Sequence, residues 1–200
     1  MRRFTISSLI IFVIASISGF ISPAQGAPKY SFPIQGCSVT FSRYHHNYPA
    51  TDILTKVGCA FVAPISGVID EINRIDRFDW KTNKGADRSG KMISMIGDDG
   101  VRYYGSHLYS IPKDLAPGDR VGVGQLIGRV GQTGDARGTA PHLHFGISWP
   151  TKAGIWWVRR GELNPFDYIT AWKAGKDISP AKSVAKLKEK SGEIPQQVGY

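Results

Sequence analysis

The residues best suited to chemistry are the five histidines, all of which fall between positions 45 and 144. The densest arrangement is Ala140-Pro141-His142-Leu143-His144-Phe145-Gly146-Ile147. On a strand, residues two apart point the same way, so His142 and His144 share one face while Leu143 and Phe145 share the other. Two neutral imidazoles on one rigid face suit a metal ion, zinc above all. By itself, His-x-His is as often a pair of partly exposed strand histidines. A second cluster, His45-His46-Asn47-Tyr48-Pro49-Ala50-Thr51-Asp52, sets imidazole and carboxylate a few residues apart. An oxygen ligand joined to two histidines gives a three-ligand zinc site with one position left for water, the catalytic type. Its ordinary alternative is a surface loop with a capping Asp. The third cluster, Tyr103-Tyr104-Gly105-Ser106-His107-Leu108, ends an apolar strand pattern in one histidine. Such a residue is usually structural and gains weight only from the other two clusters.

The elements that must position these residues read as β-structure. Short apolar runs of strand length recur from Cys37 to about Ile147: Cys59–Ala63, Gly67–Ile69, Met92–Ile96, Val101–Tyr104 and Leu126–Val130. Turns carrying Gly, Asp and Pro separate them, as in Gly97-Asp98-Asp99-Gly100, and no ten-residue helical pattern interrupts. The expected fold is all-β, mainly antiparallel, with irregular loops. Residues 77–91 are polar and Gly-bearing and read as a long loop between strands. After Pro150 the pattern predicts one further strand and a closing turn around Trp156-Trp157 and Asn164–Tyr168. Residues 173–200 form a Lys-rich tail, mobile or weakly helical.

Taken together, the clusters carry a resemblance. Residues 118–134 read Gly-Asp-Arg-Val-Gly-Val-Gly-Gln-Leu-Ile-Gly-Arg-Val-Gly-Gln-Thr-Gly and lead, through Asp-Ala-Arg-Gly-Thr-Ala, into Pro-His-Leu-His-Phe-Gly. A His…Asp motif, an alternating strand ending in His, and a Gly-rich hairpin leading into His-Leu-His-Phe occur here in that order. With Ala63-Pro64-Ile65-Ser66-Gly67-Val68-Ile69 after the Asp, this strongly resembles the lysostaphin-type zinc peptidase family over about residues 37–148. The resemblance implies one zinc per chain, with Asp52 and His144 as ligands and one histidine of the 45–46 pair as the third. It casts His142 and His107 as the two active-site histidines that do not bind metal. The chain departs from the family's His-x-x-x-Asp: His46 lies six residues before Asp52 and His45 seven. An even separation in extended chain favours His46. His45 is its alternative, at a spacing similar to that of the related D-Ala-D-Ala metallopeptidases.

The same resemblance implies hydrolysis of peptide cross-links or stem peptides of bacterial peptidoglycan. Zinc in such a site acidifies its water to a pKa of about 7 and polarises the scissile carbonyl. His142 then reads as general base, and His107 as a group that orients the water or supports the oxyanion. The alternative of another class is a non-catalytic wall-binding or regulatory module on the same fold.

The surroundings agree with a wall enzyme. Arg2 and Arg3, an apolar run from Leu9 to Ile17, and the small residues Ala24 and Gly26 read as a signal peptide, residues 1–26, cleaved before Ala27. That places the zinc peptidase domain at 27–172, exported to the periplasm or medium, monomeric, and without stable membrane insertion. The chain carries net charge +9, and +7 after loss of Arg2 and Arg3 with the leader. A basic surface favours anionic partners, and export leaves anionic wall rather than nucleic acid. Cys37 and Cys59 are the only two cysteines, and in an exported chain an even pair reads as a disulfide.

Overall fold

The computed structural model describes residues 30–45 and 49–197. The expected leader, residues 1–26, lies outside them, and so does His46. Ten short strands form among the described residues, six of them on the runs that predict them. The ten are β1 (Ile34–Gln35), β2 (Thr51–Leu54), β3 (Ala60–Val62), β4 (Gly67–Asn73), β5 (Met92–Gly97), β6 (Arg102–Ser106), β7 (Leu108–Ser110), β8 (Arg120–Val121), β9 (Leu126–Val130) and β10 (His142–Ser148). Six of them make one antiparallel sheet in the order β2-β10-β6-β5-β4-β8, and four make a second in the order β1-β3-β9-β7. The core fills the space between, with Ile53, Leu143, Phe145 and Ile147 from the larger sheet and Phe61, Ile127 and Val130 from the smaller. Phe61 meets Phe145 edge to face at 6.4 Å. Along β10 the odd-numbered Leu143, Phe145 and Ile147 enter this core, and the alternation of strand side chains leaves His142 and His144 on the opposite face, although that face is also largely covered.

The expectation of one more strand after Pro150 fails. That segment instead folds as α1 (Trp156–Arg160) and α2 (Phe166–Lys173), with only an isolated bridge from Ile147 to Leu163. A short apolar run around two tryptophans has no period that separates helix from strand, so tertiary packing decided. The Lys-rich tail is helical as α3 (Ala181–Ser191) and docks rather than dangles. Val184 and Leu187 join the core, and Tyr168 Oη donates to Ser183 Oγ at 2.8 Å. Beyond α3, the indole nitrogens of Trp149 and Trp157 donate to the carbonyls of Glu193 and Pro195. Cys37 and Cys59 are disulfide-bonded, tying the segment after β1 to the start of β3. Among the described residues no helix is long and apolar enough to cross a membrane.

Candidate metal centre

Register assembles the site. On β10, His144 pairs with Asp52 of β2 on one side and with Ser106 of β6 on the other. Directly paired residues of neighbouring strands project side by side on one face, so Asp52 and His144 arrive together although 92 residues separate them. Asp52 Oδ1 lies 3.1 Å from His144 Nδ1. His45, from the segment before β2, closes the group: its Nε2 is 3.2 Å from His144 Nδ1 and 3.4 Å from Asp52 Oδ1. One ligand atom from each of the three falls within 4.8 Å of the others. The segment before His45 is pinned from below. Arg43 bonds the Asp167 carboxylate, its guanidinium sits 4.5 Å from the Phe166 ring centre, and its carbonyl accepts from Asn164 Nδ2 at 2.8 Å.

The imidazole orientations follow from their second nitrogens. His144 Nε2 lies 3.0 Å from the Arg160 carbonyl oxygen at the end of α1. A carbonyl only accepts, so Nε2 carries the proton and the Nδ1 lone pair of the neutral ring faces His45 and the Asp52 carboxylate. Lone pair against lone pair at 3.1 Å is repulsive unless a cation lies between. The donor set of two nitrogens and one carboxylate oxygen fits zinc. Burial comes first among the causes that hold His144 neutral, pushing its pKa down to about 4 despite the opposing Asp52. Burial works to raise the Asp52 carboxyl, but its contacts with the His144 and His45 imidazoles outweigh that and hold it far below the ordinary carboxylate range.

The remaining two histidines stand beside this group. His142 Nδ1 donates to the Ala140 carbonyl at 2.8 Å, and its Nε2 is 3.9 Å from Asp52 Oδ2. His107 follows β6 in a left-handed conformation, φ 64°, which is uncommon for a residue with a side chain. Three contacts hold it there: its N–H bonds the Ser89 carbonyl, its carbonyl accepts from Thr133 N–H, and its Nδ1 donates to the Thr133 carbonyl at 2.9 Å. The bend turns its ring toward His142, with centroids 4.9 Å apart. Burial, and then the neighbouring His144 and His142, push its pKa well below the ordinary value. Backbone held in such a conformation by several contacts is the kind that clusters at functional sites.

Of the residues singled out from the sequence, His45, Asp52, His107, His142 and His144 come together on one face. His46 lies outside the described residues. Sequence reasoning missed the supports: the carbonyls of Arg160, Thr133 and Ser89, and Gly146. A Cβ on Gly146 would sit 2.1 Å from the Arg160 oxygen, so only glycine admits that carbonyl to His144. Glycine inside a strand pattern is the available signal of a close backbone approach. Gly134, at φ 71°, likewise lets the turn before β10 lie on the Arg88 carbonyl, 2.0 Å from where its Cβ would be.

Comparison with known proteins bears on these residues. The family model of Peptidase family M23 matches residues 46–155. A curated relative, the glycyl-glycine endopeptidase ALE-1 of Staphylococcus capitis, is 37% identical over 100 residues, 50% of this chain and 24% of the relative. The chain thus spans about a quarter of that relative's length. Among solved structures, a Pseudomonas aeruginosa protein assigned to peptidase M23 is 25% identical over 73% of this chain and 54% of its own, with a TM-score of 0.52. The antimicrobial peptidase lysostaphin of Staphylococcus simulans is 23% identical over 76% of this chain and 58% of its own, with a TM-score of 0.51, and shares the fold.

Proposed function

Because the chain belongs to Peptidase family M23, we propose that it is an exported zinc-dependent endopeptidase of bacterial peptidoglycan, with His45, Asp52 and His144 holding the metal. The observation that carries this reading is the convergence of two imidazole nitrogens and a carboxylate oxygen within 4.8 Å of one another, with the His144 tautomer set by the Arg160 carbonyl. Zinc, when bound, supplies Lewis acidity toward a water and toward the scissile carbonyl.

This chain's own residues move the protons. His142 spends its Nδ1 proton on the Ala140 carbonyl, so its Nε2 is an acceptor aimed at the site. It takes a proton from the attacking water and returns it to the leaving amine, general base and then general acid. His107 is fixed in the same tautomer by Thr133. Its Nε2 also accepts, which suits it to orient the water rather than to donate to an oxyanion.

Peptidoglycan as substrate is supported by the glycyl-glycine endopeptidase relative, by the leader-like residues 1–26 and by the net positive charge. The test is digestion of purified peptidoglycan with and without a chelator, following free amines and reducing sugars in parallel. Amines should appear without reducing ends, stop with chelator and return with zinc. Chelator-resistant release, or reducing ends without amines, sinks the reading. Zinc content of His45→Ala against His46→Ala decides the third ligand.

A further inference from the structure

The Lys-rich segment lies outside the 46–155 match, so family membership says nothing of its use. Residues 173–190 hold six lysines against two acids, Asp177 and Glu189. Most of this charge sits on α3, where Lys182, Lys186 and Lys190 are exposed. They are spaced four residues apart. At roughly 100° per residue the set drifts only about 80° around the helix, with about 6 Å of rise between neighbours. The opposite side of the helix carries Val184 and Leu187, which pack into the core. Among the described residues, Lys188 finds Glu193 at 3.6 Å, and no ion pair involves Lys182, Lys186 or Lys190.

We propose that this lysine stripe is a docking surface for a linear phosphate-bearing polymer. Three observations select that partner. The stripe is a row of like point charges, which lysine ammonium groups offer to phosphate. Insertion into a membrane surface needs an apolar helix face, and the apolar face of α3 is already buried in the core, which leaves charge as the only means of binding. The helix also packs beside α2, whose Trp172 meets Phe145 on the core face of β10, the side opposite His142 and His144. A polymer held on α3 therefore leaves the histidine face free to act, which turns a soluble domain into one retained on an anionic matrix.

The experiment uses the full chain and immobilised long-chain inorganic polyphosphate as probe, with affinity measured across a salt series. The test variant is Lys182→Gln/Lys186→Gln/Lys190→Gln, which keeps helix propensity. The control, Lys56→Gln/Lys81→Gln/Lys152→Gln, removes the same charge from exposed positions elsewhere. The stripe variant should bind at least about tenfold more weakly, and its slope of log affinity against log salt should fall by about two, as for three lost phosphate contacts on a flexible strand. The control should stay near wild type, and both variants should keep the wild-type helix signal. Equal weakening in the two triples, no weakening in the stripe variant, or tighter binding to phosphatidylglycerol vesicles than to polyphosphate overturns the inference. None of these outcomes bears on peptide hydrolysis, so the two readings fail separately.

Discussion

Gly146→Ala tests how the fold holds its metal ligand without touching any ligand. The added methyl would lie 2.1 Å from the Arg160 oxygen, 2.7 Å from its carbonyl carbon and 3.1 Å from Gly161 N. Ordinary contact begins near 3.4 Å, so the carbonyl must retreat by about 1.3 Å. All three obstructions are backbone, which a rotamer change cannot clear. The Arg160 carbonyl is what fixes the His144 tautomer through its 3.0 Å bond. Once it retreats, His144 is free to protonate Nδ1, and that tautomer cannot coordinate through the nitrogen facing Asp52. Loss of an outer partner of this kind typically weakens metal binding by about 10- to 100-fold. Overpacking costs about 1–3 kcal/mol and the displaced buried bond about 1–3, offset by about 0.5–1 for removing glycine from a strand. A net destabilisation of about 2 kcal/mol or more is expected. Zinc affinity by competition with a chromophoric chelator, beside denaturant unfolding of the metal-free protein, measures both. A Gly146→Ala protein with wild-type zinc affinity would refute the role given to the Arg160 carbonyl, whatever its stability.

Four further outcomes follow from the site and its frame. His142→Ala and His107→Asn should retain zinc and lose about a hundredfold or more in peptide hydrolysis; Asn is chosen because it tolerates the left-handed backbone at position 107. A fully active His142→Ala enzyme removes it as base. The metal-free protein should lose stability as pH falls from about 6.5 to about 4: folded His144 stays neutral down to about 4, whereas the unfolded chain takes up a proton near 6.5. Glu162 acts in the other direction, since burial raises its carboxyl from 4.5 to about 7 and its contribution is lost as pH rises through that window. Glu162→Gln should therefore stabilise the protein at pH 8 by roughly 1 kcal/mol, discounted for its partial exposure, and leave stability at pH 4 unchanged; a Glu162→Gln melt at pH 8 no higher than wild type contradicts this. Removing the Cys37–Cys59 bridge by Cys→Ala at both positions should cost about 3 kcal/mol in denaturant unfolding under oxidising conditions, and wild-type stability would count against it.

Local periodicity alone determined much of this protein. Strand-length apolar runs broken by turns give the β class, and the period of two along residues 142–147 gives the shared face of His142 and His144 and the burial of Leu143 and Phe145. The disulfide was legible from cysteine count and the leader-like start. Only the tertiary structure decided matters that depend on what packs against what. Trp156–Arg160 and Phe166–Lys173 became helices because packing, not a weak period, selects the state of a short apolar run. His45 reaches Asp52 and His144 through a segment anchored on Asp167, Phe166 and Asn164, more than 100 residues downstream. The Arg160 carbonyl that orients His144 belongs to backbone, which carries no residue identity for a sequence to display; its one trace is the missing side chain of Gly146, and that absence acquires meaning only when β10 and α1 meet.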